Sequence, residues 1–173
     1  MGWNVPIDDP PERVREALLP LRNGISVVAM SLGNAFAVGA IIRVCHSFLV
    51  REIVLVGPAP FYEKASMGME KYETIVRIPD EAAFLAWLRE RPLYVLEGER
   101  AQGNFYLEPS FPRDAVFLFG SERYGVPDSI LQRADRVLAL PMYGVNHSFP
   151  VAIAAGMVLG EWARRRYAPG TIL

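Results

Sequence analysis

Residues 140–166, LPMYGVNHSFPVAIAAGMVLGEWARRR, decide how the rest of the chain is read. They open at the end of a short apolar run, 136–140 (RVLAL), which reads as a buried strand closed by Pro141. A loop follows in which Gly144, Asn146, His147 and Ser148 supply a dense set of hydrogen-bonding groups. Then come about four turns of helix from Val151, with Ala152, Gly156 and Gly160 spaced to stack on one face. Missing side chains there let another backbone or a flat ligand come close. A strand that passes through a polar loop into a closely packed helix is how α/β proteins build ligand clefts.

Working outward, the same alternation recurs. Residues 8–23 read as a short charged helix and a turn, with Pro11 and Glu12 suited to a helix start, and residues 1–23 form an N-terminal helical extension. Residues 25–30 (ISVVAM) are a buried strand, and 35–48 a helix apolar on most sides, with Arg43, His46 and Ser47 falling together in line with Gly39. A strand at 51–56, an irregular or weakly helical stretch through Met69 and a short strand at 74–78 follow. Asp80 caps a helix over 81–91, and 93–96 (LYVL) is a strand. A loop over 100–113, a strand at 115–119 and a short helix at 127–133 complete the pattern. The strands lack period-two alternation, which predicts a mostly parallel sheet with helices on both faces. No repeat or linker interrupts residues 1–173, so one domain is expected.

Composition narrows the class. About half the residues are hydrophobic and the net charge is −1, as in globular proteins rather than disordered ones. The longest apolar stretch, 151–162, is too short to cross a bilayer, and 1–11 holds three prolines and two aspartates in place of a signal sequence. A cytoplasmic protein with no membrane partner is expected. One cysteine and two histidines leave little for a disulfide or a zinc site, so no metal is expected. Near-zero charge argues against coating nucleic acid by charge alone. Of 18 basic residues only Lys64 and Lys71 are lysines, which leaves 16 arginines, the side chain suited to phosphate. A GC-rich genome produces the same bias.

Three successive strands end in loops rich in glycine and polar residues: LEGERAQG, GSERYGVP and PMYGVNHSFP. In parallel sheets the ligand lies beyond the carboxyl ends of the strands, so all three loops share one side. That places a cleft without naming its ligand. No G-x-x-x-x-G-K-[ST] or G-x-G-x-x-G occurs, and Ser148 lies in no G-x-S-x-G elbow.

The segments GSERYGVPDSIL and LPMYGVNHSFPVAIAAG resemble the second and third signature motifs of the SpoU-type (TrmH-like) RNA 2′-O-methyltransferases, a family of the SPOUT superfamily. GAIIRVCHSF, with the strand REIVLVG, resembles the arginine-bearing first motif. The resemblance runs in the family's order from Ile25 to Trp162. It implies a SPOUT α/β fold with a deep C-terminal trefoil knot, S-adenosylmethionine as methyl donor without a metal, tRNA or rRNA as partner, and a homodimer joined through the C-terminal helix. By motif position it implies cofactor contacts at Leu96, Glu97, Gly98, Gly120, Leu140, Met142, Gly144, Ser148 and Phe149. It likewise implies catalytic roles for Arg43, Glu122 and Ser148. Arg123, Asn146 and His147 are candidates for RNA contact.

Two positions depart from the pattern: Ala37 and Pro150 stand where the family usually keeps asparagine, with Asn34 and Asn146 the nearest alternatives. Two other readings therefore stay open, a relative that binds cofactor or RNA without transfer and a nucleotide-binding module of another kind. A buried Arg43 would otherwise be a structural ion pair with Glu122 or Glu161. Its guanidinium keeps its proton far above neutral pH, so its chemical role is to hold phosphate or developing alkoxide charge. Arg164, Arg165 and Arg166 at a helix C-terminus complement the helix dipole.

Overall fold

The computed structural model describes residues 8–30, 32–58, 60–121 and 123–166. Strands β1 (Ser26–Met30), β2 (Glu52–Val56), β3 (Ile75–Ile78), β4 (Leu93–Leu96), β5 (Gly103–Asn104), β6 (Val116–Phe119) and β7 (Arg136–Ala139) form one sheet. Their order is β3-β2-β1-β6-β4-β7-β5, and every pairing is parallel. The helices are α1 (Pro11–Leu18), α2 (Ala35–Ser47), α3 (Glu63–Ser66), α4 (Glu81–Leu88), α5 (Asp128–Arg133) and α6 (Val151–Arg166).

Both faces of the sheet are buried, which explains strands that read as unbroken apolar runs. Val27, Ala29, Ile53, Leu55, Phe117 and Phe119 point to one side, where they pack with Ile41, Ile42 and Cys45 of α2 and Ala155, Val158 and Leu159 of α6. Val28, Met30, Val54, Val56, Val116 and Leu118 point to the other, against Phe84 and Leu88 of α4 and Ile130 of α5. Burial, with Glu73 nearby, pushes the Cys45 thiol well above its ordinary range. Trp87 is half-buried, stacking on Phe84 and carrying the Arg91 guanidinium 4.9 Å from its ring centre. The expected α/β architecture is thus present, and the interleaved order of β6, β4 and β7 is consistent with a knotted C-terminal half.

Local chemistry sets the boundaries. The Asn34 side chain accepts from the amides of Phe36 (3.0 Å) and Ala37 (3.3 Å), starting α2. Asp80 does the same for α4 through the Ala83 amide at 2.9 Å. That helix ends at Leu88 rather than Arg91, because Arg89 adopts φ 53. The turn lets Arg91 donate to Glu52 (3.1 Å) and to Ser26 (2.6 Å), beneath the first residues of β2 and β1.

The stretch expected as loop over 100–113 holds the edge strand β5 and a 3-10 turn at Phe105–Leu107. Two residues carry no periodicity, and Phe105 is drawn fully into the core, stacked on Phe111 at 5.0 Å. His46 also departs from Arg43. Its Nδ1 lies 2.8 Å from Glu73 Oε1, whereas Arg43 is exposed on the outer side of α2. Gly39, on the inner side, meets α3 so closely that a Cβ would lie 2.5 Å from the Tyr62 carbonyl oxygen.

Candidate active site

Because β6, β4 and β7 are parallel neighbours, their carboxyl ends lie side by side and the loops after them face one another. They enclose a cleft of about 590 Å³, within the usual range for small-molecule sites. Leu96, Phe119, Val126, Leu140, Met142 and Phe149 give it apolar walls. Glu97, Arg100, Arg123, His147 and Ser148 place polar groups around it.

The loops are tied to each other. Arg100 donates from Nη1 to Asp128 at 2.8 Å and from Nη2 to the Val126 carbonyl at 2.6 Å. The same Nη2 reaches Glu97 Oε2 at 3.2 Å, while Glu97 Oε1 accepts from the Glu99 amide. One guanidinium therefore clasps the loop after β4 to the loop after β6. Within the latter, buried Ser121 braces the turn: its Oγ accepts from the amides of Arg123 (3.2 Å) and Tyr124 (3.3 Å). The Ser121 carbonyl accepts from Gly125 at 2.8 Å, and Gly125 sits at φ 67, where a side chain is strained.

Of the residues expected to contact a cofactor, Leu96, Glu97, Gly98, Gly120, Leu140, Met142, Ser148 and Phe149 line the cleft. Gly144 and Asn146 do not; both are exposed on the loop that carries Tyr143 and Val145 outward. Among the RNA candidates Arg123 and His147 are on the cleft. Glu122 lies outside the described residues. Arg43 is not a cleft wall, and among the described residues it forms no ion pair, since Glu161 is taken by Arg164 and Arg165 at 2.7 Å each.

The glycines divide by function. At Gly98 a Cβ would meet only the His147 carbonyl oxygen at 3.8 Å, so the backbone is open to a ligand. At Gly120 a Cβ would lie 2.4 Å from Val126 and 2.8 Å from the Gly125 carbonyl oxygen, so this glycine serves the packing of its own loop. Arg100, Ser121 and Gly125 were not singled out from the sequence. The Glu97–Arg100 spacing is legible as a local ion pair, but the reach to Asp128 is not.

The chain belongs to the SpoU rRNA Methylase family, whose model matches residues 24–160. It is 28% identical over 162 residues to a tRNA (guanosine(18)-2′-O)-methyltransferase of Thermus thermophilus, covering 91% of this chain and 84% of that protein. It is 32% identical over 135 residues to a tRNA (cytidine(34)-2′-O)-methyltransferase of Beijerinckia indica, covering 73% and 82%. Among solved structures, the A. aeolicus TrmH/SpoU tRNA modifying enzyme superposes with a TM-score of 0.79 at 26% identity, covering 90% of this chain and 82% of that one.

Proposed function

We propose that this protein transfers a methyl group from S-adenosylmethionine to a ribose 2′-hydroxyl of tRNA or rRNA. The observation that carries this reading is the convergence of β6, β4 and β7, whose loops bring two signature motifs to one cleft. Apolar walls beside an exposed backbone at Gly98 and a polar rim suit a ligand that is part nucleoside and part amino acid. When bound, S-adenosylmethionine supplies a methyl group on a cationic sulfur, an electrophile whose neutral thioether leaves without help from a metal. Leu96, Leu140, Met142 and Phe149 would hold its flat part, with Gly98 and Ser148 offering backbone and hydroxyl groups. The described residues hold no group of three potential metal ligands.

The two enzymes from Thermus and Beijerinckia are named for different nucleotides of tRNA, which supports RNA as substrate class. The chain acts as a single domain: both core layers share one sheet. No described helix is long and apolar enough to cross a membrane, in keeping with a cytoplasmic RNA substrate. A homodimer through α6 is part of this reading; the small residues of α6, where a Cβ at Gly156 or Gly160 would meet nothing within 4 Å, leave room for a second copy. Helix α2 packs against α6 and leaves Arg43 exposed, and on this reading Arg43 holds RNA phosphate beside the attacked ribose. Glu122 organises the active site from its place in the second motif.

One observation favours a second reading, binding without transfer. The Asn34 side-chain oxygen is used as a helix cap, and neither Asn34 nor Asn146 is among the cleft walls where they could stand in for the asparagines absent at Ala37 and Pro150. Incubating isotopically labelled cofactor with RNA from cells lacking the protein separates the two. Label in ribose that disappears with Arg43→Ala supports the enzyme; cofactor binding with no label supports the second reading. Absence of any binding in calorimetry at millimolar cofactor would sink the methyl-transfer reading and leave, of the second, only RNA binding without cofactor.

A further inference from the structure

At the mouth of the cleft two tyrosine rings stand in solvent. Tyr124, a cleft residue, is 76% exposed, and Tyr143, beyond the cleft wall at Met142, is 97% exposed. Val145 beside it is 94% exposed. Apolar surface is left unburied here although the backbone beneath Tyr124 is held firmly, its amide and that of Arg123 both bound to Ser121 Oγ. The Arg123 guanidinium lies over the Tyr124 ring, 5.3 Å from its centre, so the ring carries a positive charge beside it.

We propose that Tyr124 and Tyr143 are a stacking platform for unpaired nucleotides of the RNA, with Arg123 on the adjoining phosphate. The inference rests on the methyl-transfer reading above and adds what the site selects. A ribose 2′-oxygen presented to the cleft carries its base within the same nucleotide, so that base must lie against the rim. The rim offers rings and an arginine there. A base paired in a duplex keeps both faces stacked and has none to offer an aromatic ring; an unpaired base does. Tyr124, at the cleft itself, takes the base of the nucleotide being modified. Tyr143, farther out on the loop after β7, takes a flanking base. The arrangement makes single-stranded loops or ends of RNA the substrate, and excludes ribose within a continuous helix.

The test uses the full chain with a fluorescent single-stranded RNA, the same strand annealed to its complement, and S-adenosylhomocysteine as cofactor probe. Wild type is expected to bind the single strand more tightly than the duplex. Tyr143→Ala should raise the single-strand Kd roughly tenfold, the scale of one lost stack, without changing the Kd for S-adenosylhomocysteine or the sedimentation coefficient. Tyr124→Ala should weaken RNA binding more than S-adenosylhomocysteine binding, and Tyr124→Phe should retain both because the ring is kept. Equal binding of duplex and single strand, or an unchanged RNA Kd in both alanine variants, overturns the proposal. A Tyr143→Ala protein that sediments as a smaller species also overturns it, since the ring then belongs to a contact between copies. If wild type binds RNA as expected yet methylates no tRNA or rRNA, the methyl-transfer reading fails while the platform stands. If wild type binds no RNA, both fail.

Discussion

Arg22 forks onto Glu73: Nη1 donates to Oε2 at 2.7 Å and Nη2 to Oε1 at 3.0 Å. The same guanidinium donates to the carbonyls of Val50 (2.7 Å) and Tyr72 (2.6 Å), and His46 shares the carboxylate. Both side chains are nearly withdrawn from water, with 6% and 0% exposure. The pair joins the segment before β1 to the segment before β3 at the amino edge of the sheet, opposite the cleft. Removing the carboxylate leaves a buried cation unpaired, so Glu73→Ala should cost about 3–5 kcal/mol. Urea unfolding should show a lower midpoint with an unchanged slope. A midpoint close to wild type would mean that the carbonyls alone satisfy Arg22.

The proposed role of Arg43 in transfer is separable from cofactor binding, because Arg43 is exposed on α2 and is not a wall of the cleft. Arg43→Ala should lower kcat on RNA by about a hundredfold or more, the scale of one lost charge-stabilising donor. The calorimetric Kd for S-adenosylhomocysteine should stay at the wild-type value. A parallel loss of cofactor affinity would show that the arginine shapes the donor pocket instead.

A Cβ at Gly156 or Gly160 would meet nothing of its own subunit within 4 Å, so a side chain there starts into open space. Gly156→Leu should raise the dimer dissociation constant, seen as monomer in sedimentation at concentrations where wild type is dimeric. Circular dichroism of the monomer should remain that of a folded α/β protein. An unaltered dimer would place the seam elsewhere.

Hydrogen bonds from Arg164 first, and from Arg165 next, pull the Glu161 carboxyl from 4.5 down to about 2. A carboxyl depressed in the folded state adds stability above its unfolded pKa and loses it as pH falls through the folded one. The contribution is therefore full above about pH 4.5 and fades toward pH 2. Melting curves in that window should fall less steeply with acid for Glu161→Gln than for wild type. Identical slopes would show that the ion pairs at the end of α6 contribute nothing measurable.

All strands but the two-residue β5 were legible, the central ones because burial on both faces leaves runs such as VVAM and VFLF with no polar interruption. The cleft was legible because parallel strands put glycine-rich loops on one side, and eight of the nine expected cofactor positions line it. Arg100 was not, since its value lies in reaching Asp128 and Val126, partners set by strand order rather than by spacing. Arg43 read as a charge within an apolar helix, yet the turn that buries Ile41, Ile42 and Cys45 leaves it outside. The glycine pattern of α6 reads as close packing, yet among the described residues nothing lies within 4 Å of a Cβ at Gly156 or Gly160, a fact about tertiary neighbours that spacing does not carry. Gly120 read as a place for ligand approach, and the Val126 side chain it accommodates has no signature in sequence.

Strand β4 comes before both of its sheet neighbours, β6 and β7, in the chain. As the polypeptide leaves the ribosome, β1, β2 and β3 already have one another, whereas β4 waits with both edges bare. The first wall of the cleft is thus synthesised well before the second and third exist to face it. Pairing across such separations is slow, and until it is complete the cleft is not merely loose but unbuilt. On the proposed reading, cofactor binding therefore reports that β4, β6 and β7 have come together, and a chain cut short before β7 lacks the third wall of the cleft.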